Sequence, residues 1–445
     1  MATLTYDQLI NQLNRAMLAG EADRVPLLRR VLAQVGHPDQ QAPRIHVVGT
    51  NGKGSTVALL ARTIQAGGYR VGVFASPAIL DQREQLTING KMIEKTVFVH
   101  CYEQLLPAVE AVVGAADRFT IFEWLFLIAM QWFANQHVDL MIIEAGLGGQ
   151  FDATNAITVP LISVFTHIAL DHTRLLGQTI GEIATNKAGI IKPQTTVVIA
   201  PHQAVEATVA IQKIASAQHV DVITASLAGF SHIHLGLDET TLTMESSLGH
   251  WSGISLNLIG RHQLATAATV LAVLVQLNQR GWRLGEDAVR SGFKEVHLLG
   301  RFTQVPATWQ HPALVLDGAH NPDAMAALVA TLRELAPNQK FTLVLGFLVD
   351  KNILAMLTML LPLADNVILT TPDQPARALA VDDLAELVAD EIGRLTLSDL
   401  TVYQAADMNE VRQLLQASWL TTTTPIVVTG SFYLIRALEE AGLDG

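Results

Sequence analysis

The stretch Ile45-His46-Val47-Val48 followed by Gly49-Thr50-Asn51-Gly52-Lys53-Gly54-Ser55-Thr56 decides the fold. Its short apolar run predicts a buried strand, and the 3.6-residue periodicity of Ser55–Ala66 predicts a helix directly behind the loop. Strand, glycine loop, lysine with hydroxyl, and helix together wrap backbone N–H groups around phosphate and aim a helix N-terminus at it. Glycines at 49, 52 and 54 let the backbone approach phosphate oxygens, Lys53 suits the β- and γ-phosphates, and a hydroxyl of Ser55 or Thr56 suits phosphate or magnesium. The strict GxxxxGK[ST] spacing fails, because Val47 occupies the first glycine position and Gly54 separates Lys53 from the hydroxyl. This is a shortened variant; the plain alternative is a glycine-rich turn with a solvated lysine.

Apolar runs at Val71–Phe74, Leu140–Ile143, Leu161–Phe165 and Val197–Ala200 read as further buried strands, with helical patterns at Val97–Val113, Phe122–Ala134 and Ile180–Ile190 between them. These are βαβ units on one sheet. Asn89-Gly90 inside Leu86–Ile93 predicts an inserted hairpin. From Ser226 to Ile259 short alternating segments suit antiparallel strands at the sheet edge, followed by a helix at His262–Leu277. A second alternation runs from strand Leu314–Asp317 to strand Ile426–Thr429, with Thr421–Thr424 as a loop. The expected class is α/β: an N-terminal P-loop nucleotide-binding domain with a mostly parallel sheet over residues 1–298, and a smaller Rossmann-like α/β domain over 299–445.

With 445 residues, 50% hydrophobic and 16% charged, the chain is globular rather than disordered. Lys plus Arg number 29 against 41 Asp plus Glu, a net charge of −12, which is the wrong sign for a nucleic-acid binder, so anionic ligands must be met locally. The single cysteine, Cys101, excludes an internal disulfide and fits a reducing compartment. The apolar stretch Phe122–Phe133 contains Glu123 and Gln131 and falls short of the ~20 residues that cross a bilayer. The N-terminal residues have helical spacing without a secretory pattern, so a soluble cytoplasmic protein without a membrane partner is expected.

Glu144 ends a very apolar strand, where open α/β sheets place ligand groups, and reads as a metal ligand or base. His172 after Asp171 is either a hydrogen-bonded structural residue or, beside a phosphate loop, a partner of Ser76 and Glu144 in a magnesium shell that also contains phosphate and water. Lys187 alone reads as a lysine paired with an acid. Asp317-Gly318-Ala319-His320-Asn321-Pro322 reads as a capping turn with Pro322 at the first helical position, and Ser431 as an ordinary N-cap. Phe122 and Phe151 are either core or ring-packing residues.

The segment GTNGKGS resembles the nucleotide loop of the Mur-ligase superfamily, and its form with Gly54 after Lys53 is similar to the folylpolyglutamate synthase / dihydrofolate synthase family. Ser76-Pro77, Glu144 to Gly149 with Asp152 to Asn155, Leu170-Asp171-His172, Lys187 to Ile190, Gly300-Arg301-Phe302, Asp317 to Pro322, Asp350-Lys351 and Gly430 to Leu434 agree in order and spacing along nearly the whole chain. The resemblance implies ATP and Mg2+ as cofactors, and ATP contacts from Thr50, Asn51, Gly52, Lys53, Gly54, Ser55, Thr56, Arg301, Asp317 and His320. It assigns metal roles to Ser76, Glu144, His172 and a carbamylated Lys187, and catalytic roles to Lys53, Lys187, His172 and Arg301. It puts Thr120, Phe122 and Glu123 on the pteroate side, Ser431 on the glutamate side, and Asp152 among the substrate residues. The implied activity is ATP-dependent addition of L-glutamate to folate, and also to dihydropteroate, through an acyl phosphate, by a monomer. Asn186, Arg83 and Thr266 depart from the family pattern. The alternatives are a related ligase acting on another carboxylate, such as a peptidoglycan precursor, and a non-catalytic nucleotide-binding paralogue.

Overall fold

In a computed structural model, which describes residues 4–14, 23–308, 312–374, 376–418 and 424–443, the chain divides into two units. The first comprises Met1–Ser231, Thr243–Ile254 and Leu264–Val296; the second comprises His232–Leu242, Ser255–Gln263 and His297–Gly445. Two short segments upstream of residue 298 therefore belong with the second unit. Thr421, Thr422 and Thr423, expected as loop, lie outside the described residues.

The first unit is built on β1 (Arg44–Val48), β2 (Val71–Phe74), β3 (Leu86–Ile88), β4 (Lys91–Met92), β5 (Leu140–Glu144), β6 (Ile162–Phe165), β7 (Thr196–Ile199) and β8 (Val222–Thr224), in the spatial order β4-β3-β2-β5-β1-β6-β7-β8. From β2 to β8 every pairing is parallel, while β3 and β4 form the antiparallel Asn-Gly hairpin at one edge. The parallel strands are apolar on both faces because helices cover both sides of such a sheet. Helix Ile121–Asn135 is a deeply buried helix of this unit: Trp124, Phe126 and Phe133 are fully enclosed. No helix among the described residues is long and apolar enough to cross a membrane.

The segment from Ser226 to Ile259 corrects one expectation. It does not extend the large sheet; β9 (Phe230–Leu235), β10 (Thr240–Ser246) and β11 (Gly249–Leu256) form a separate three-stranded sheet in the order β11-β10-β9. The large sheet's edge is already occupied by β8, which follows helix Val205–Ala217 and pairs in parallel with β7.

The second unit carries β12 (Thr303–Val305), β13 (Leu314–Asp317), β14 (Phe341–Leu345), β15 (Ala364–Leu369), β16 (Thr401–Gln404) and β17 (Ile426–Thr429), ordered β12-β13-β17-β14-β15-β16. All pairings are parallel except β12 with β13. Two apolar clusters, one around Leu343, Leu357 and Val427 and one around Leu316, Val344 and Leu438, fill the two faces.

Helix Glu286–Lys294, which the sequence reading did not find, packs on the phosphate-loop helix Lys53–Ala66 within the first unit. The contact is close because residue 292 is glycine: a Cβ there would lie 2.4 Å from Thr63 Cα. Gly292→Ala is therefore expected to lower stability by about 1–3 kcal/mol in a denaturant melt, although alanine is the better helix former.

Candidate active site

The glycine loop leaves the carboxyl end of β1, between β5 and β6. Parallel register sets Val47 beside Glu144 and Val48 beside Phe165, so Gly49 emerges next to Thr166. A Cβ on Gly49 would fall 1.8 Å from Thr166 Oγ1. That hydroxyl donates to Asn51 O (2.8 Å) and lies 3.3 Å from Val48 O, while the N–H groups of Thr50 and Asn51 both donate to His167 O. Thr50 Oγ1 donates to Ala169 O and accepts from Ala169 N. Gly52, at φ 83°, makes the left-handed turn that starts the helix, and Lys53 Nζ folds back to Thr50 O at 3.2 Å. Ser55 and Thr56 are buried in the first turn. Thr166 was not recognised in the sequence; its position directly after the strand beside β1 was the available signal.

Glu144, 2% exposed, lies next to this turn: a Cβ on Gly54 would be 4.0 Å from Glu144 Oε2. Lys187, 4% exposed, comes from the last turn of helix Ile180–Ala188 and donates from Nζ to Gly49 O at 2.8 Å. Burial, reinforced by the Lys53 charge, pulls the Lys187 amine down to about 7, with Asp152 and Asp171 acting in the opposite sense. The structure thus brings Lys53 and Lys187 to neighbouring carbonyls of one loop, Thr50 O and Gly49 O. His172 sits in the left-handed region (φ 49°) at the start of a one-turn helix, its N–H donating to Asp171 Oδ1 and its Nε2 3.9 Å from Asp171 Oδ2. Ser76 is half-buried beyond β2, joined to Pro77 by a cis peptide bond. Among the described residues no three His, Cys, Asp or Glu side chains converge as a metal cluster. A buried carboxylate with two hydroxyls on a phosphate loop nonetheless fits magnesium, which takes hard oxygen donors, keeps waters and completes its shell with substrate phosphates.

The Thr120–Glu123 segment starts helix Ile121–Asn135 with a capping box, in which Glu123 N donates to Thr120 Oγ1 and Thr120 N donates to Glu123 Oε2. Arg24 Nε closes a 2.6 Å ion pair on Glu123 Oε1. Thr120 and Glu123 are thereby committed to fixing the helix start. Phe122, presented by that turn, lies 5.4 Å from the Phe74 ring and against Gly146, where a Cβ would be 2.6 Å from Phe122 Cζ. Asp152 Oδ2 accepts from Leu147 N (2.7 Å) and Oδ1 from the Thr154 amide and hydroxyl. Because the Thr154 hydroxyl donates there, His46 Nε2 must be the donor in its 2.8 Å contact with Thr154 Oγ1; burial holds this imidazole at about 3, so it is neutral. Phe151 is 57% exposed, which removes the core alternative for that ring.

In the second unit, Asp317 ends β13 and pairs in register with Thr429, so the turn after Asp317 and the segment Gly430-Ser431-Phe432 lie side by side. Asp317 accepts from Phe302 N and Ala319 N, both at 2.9 Å. Burial pushes its carboxyl up to about 6, against the pull of Arg301 and those amides. His320 Nδ1 lies 2.8 Å from Gly318 O. Asn321 caps helix Pro322–Leu335 through Ala324 N, and Ser431 caps helix Phe432–Glu440 through Tyr433 N, as the sequence suggested for each. Phe432, whose ring faces Arg301, was not singled out in the sequence.

Two substitutions test the loop. Gly49→Ala is expected to weaken ADP binding by about tenfold or more in titration calorimetry. The double change Gly49→Ala with Thr166→Ala should recover part of that loss, since it vacates the space the new methyl needs.

The Mur ligase middle domain matches residues 47–274, and the Mur ligase glutamate ligase domain matches residues 300–432. The chain is 33% identical to folylpolyglutamate synthase of Lacticaseibacillus casei, covering 98% of this chain and 97% of that protein. It is 32% identical to dihydrofolate synthase/folylpolyglutamate synthase of Bacillus subtilis, covering 93% of each. The solved structure of Mycobacterium tuberculosis folylpolyglutamate synthase complexed with ADP and AMPPCP is similar over 98% of both chains, with 28% identity and a TM-score of 0.86. With its loop, buried acid and two α/β units matched along their length, the chain belongs to the folylpolyglutamate synthase / dihydrofolate synthase family of the Mur ligase superfamily.

Proposed function

We infer that this protein is an ATP-dependent ligase that adds L-glutamate to folate, and we propose that it also acts on dihydropteroate. The observation that carries this reading is the pinned glycine loop after β1, with Lys53 at its end, buried Glu144 at the end of neighbouring β5 and buried Lys187 reaching Gly49 O from a helix, inside a chain similar throughout to synthases of this family.

A carboxylate resists attack by an amine because it is anionic and lacks a leaving group. Transfer of the ATP γ-phosphoryl group to the folate carboxylate gives an acyl phosphate and ADP. The glutamate α-amine then attacks the acyl carbon, and the tetrahedral intermediate expels phosphate to leave the amide. In this reading the loop from Thr50 to Thr56 holds the phosphates: the N–H groups of Thr50 and Asn51 tie its start to His167 O, the backbone of Gly52 to Ser55 faces the phosphates, and Lys53 and Arg301 offset the charge that moves during transfer. Asp317 and His320 are further nucleotide contacts. Ser76, Glu144, His172 and a carbamate on Lys187 would hold magnesium, which when bound supplies charge neutralisation at the phosphoryl group. Phe122 would pack on the pterin, held there by Thr120 and Glu123, with Asp152 bracing the neighbouring turn and Ser431 near glutamate. A cytoplasmic monomer with no nucleic-acid or membrane partner completes the proposal.

The carbamate is supported by the amine itself: carbon dioxide adds to the neutral form, and Lys187, at about 7, is far more neutral near physiological pH than an exposed lysine. Protein equilibrated with 13C-bicarbonate should show a carbamate carbon resonance that Lys187→Gln lacks; the same spectrum from both would remove the assignment.

Incubation with ATP, magnesium, labelled glutamate and either dihydropteroate or tetrahydrofolate tests the whole reading. Product with both acceptors is expected, with Lys53→Ala and Glu144→Gln each slowing turnover on the order of 100-fold or more. Product with tetrahydrofolate alone restricts the activity to polyglutamylation, and no ATP-dependent product with either acceptor contradicts the reading.

A further inference from the structure

Phe432 is the first residue of its helix, directly after the Ser431 cap, and its half-buried ring packs against the core of the second unit. The same ring meets two loops. A Cβ on Gly318 would lie 2.5 Å from its Cε1 and Cζ, and a Cβ on Gly300 2.9 Å from its Cε1, so both loops close on it only because both residues are glycine. The loops are tied to each other by Gly318 N donating to Gly300 O at 2.8 Å. Arg301, next in the chain, sets its guanidinium carbon 4.7 Å from the ring centroid, and the His320 ring is centred 6.0 Å away. The two charged or polar groups read as nucleotide contacts thus share one aromatic neighbour, which comes from a third segment of the chain.

We propose that Phe432 is the positioning residue for Arg301 and His320: its ring sets the direction from which the guanidinium meets the transferring phosphoryl group. The inference rests on the nucleotide role of Arg301 given above. An arginine side chain has many rotamers in water, and stacking on an aromatic face removes most of them without consuming the N–H donors, which stay in the guanidinium plane for phosphate oxygens. A misplaced group far from the bond being made can cost as much as 100-fold in rate, so the ring's contribution belongs in kcat rather than in substrate affinity.

The test compares Phe432→Leu and Phe432→Met, which lose the ring, with Phe432→Tyr, which keeps it. Each is made with Arg301 intact and with Arg301→Met. Phe432→Leu is expected to reduce kcat between about 10- and 100-fold, with unchanged KM for folate and glutamate, measured at a temperature at which the variant is fully folded. Phe432→Tyr should stay within about threefold of the parent. Arg301→Met should add little to the loss already present in Phe432→Leu, because the two changes remove the same interaction. Phe432→Met retains side-chain bulk and carries the same comparison should Phe432→Leu fold poorly. Losses that multiply in the double variant, or equal losses in the leucine and tyrosine variants, would overturn the positioning role while leaving Arg301's role standing. Full activity in Arg301→Met alone would overturn both.

Discussion

Everything at the first unit's strand ends depends on how close the backbone at Gly49 comes to its surroundings. On one side it touches the Thr166 hydroxyl, and on the other its carbonyl accepts from the Lys187 amine, 138 residues further along the chain. A side chain at position 49 would separate β1 from the turn after β6 and lift the loop. With glycine there, three neighbouring segments share one set of hydrogen bonds, and the loop backbone is held in place before any ligand arrives. Preorganisation of this kind is paid for during folding, not during the reaction.

The same arrangement places two lysines together in a protein of net charge −12. Folding removes Lys187 from water beside Lys53, which depresses its amine from 10.5 to about 7. Between those two values the unfolded chain holds a proton that the folded chain lacks, so this residue makes folding more favourable as pH rises across that window. Below it, the buried charge is a cost to the fold. At this position the neutral amine is favoured over the ammonium, as the carbamate proposed for Lys187 requires. Asp317 in the second unit shows the converse: burial raises a carboxyl to about 6, while Arg301 and two amides favour its charged form.

Much of this was legible in the sequence, because period and punctuation carried it. Apolar runs located the parallel strands of both large sheets apart from β8, Asn89-Gly90 located the hairpin, and the caps at Asn321 and Ser431 followed from residue type and the proline after Asn321. What stayed hidden was either too short or too dependent on distant packing. Three residues at Val222–Thr224 are not a recognisable strand until β7 stands beside them, and without that strand the segment after Ser226 looks like a sheet edge. Helix Glu286–Lys294 has a weakly apolar sequence and is completed by the Gly292–Thr63 approach. In the site, the glycine loop pointed to Lys53, the strand end to Glu144 and the family resemblance alone to Lys187, but Thr166 and Phe432 meet backbone and guanidinium through space, and no local pattern marks such residues. Thr120 and Glu123, expected on the pteroate side, also form the helix cap and the Arg24 ion pair, roles that the sequence reading did not draw from them.

The central claim is that phosphoryl transfer makes the folate carboxylate reactive before glutamate arrives. Folate carrying 18O in the carboxylate that is to be extended tests this directly, by mass analysis of the phosphate released during turnover with ATP and glutamate. The account requires one 18O atom in the phosphate for each amide formed, because the carboxylate oxygen that attacks phosphorus leaves with it. Phosphate free of 18O, with amide formed at the normal rate, would contradict it.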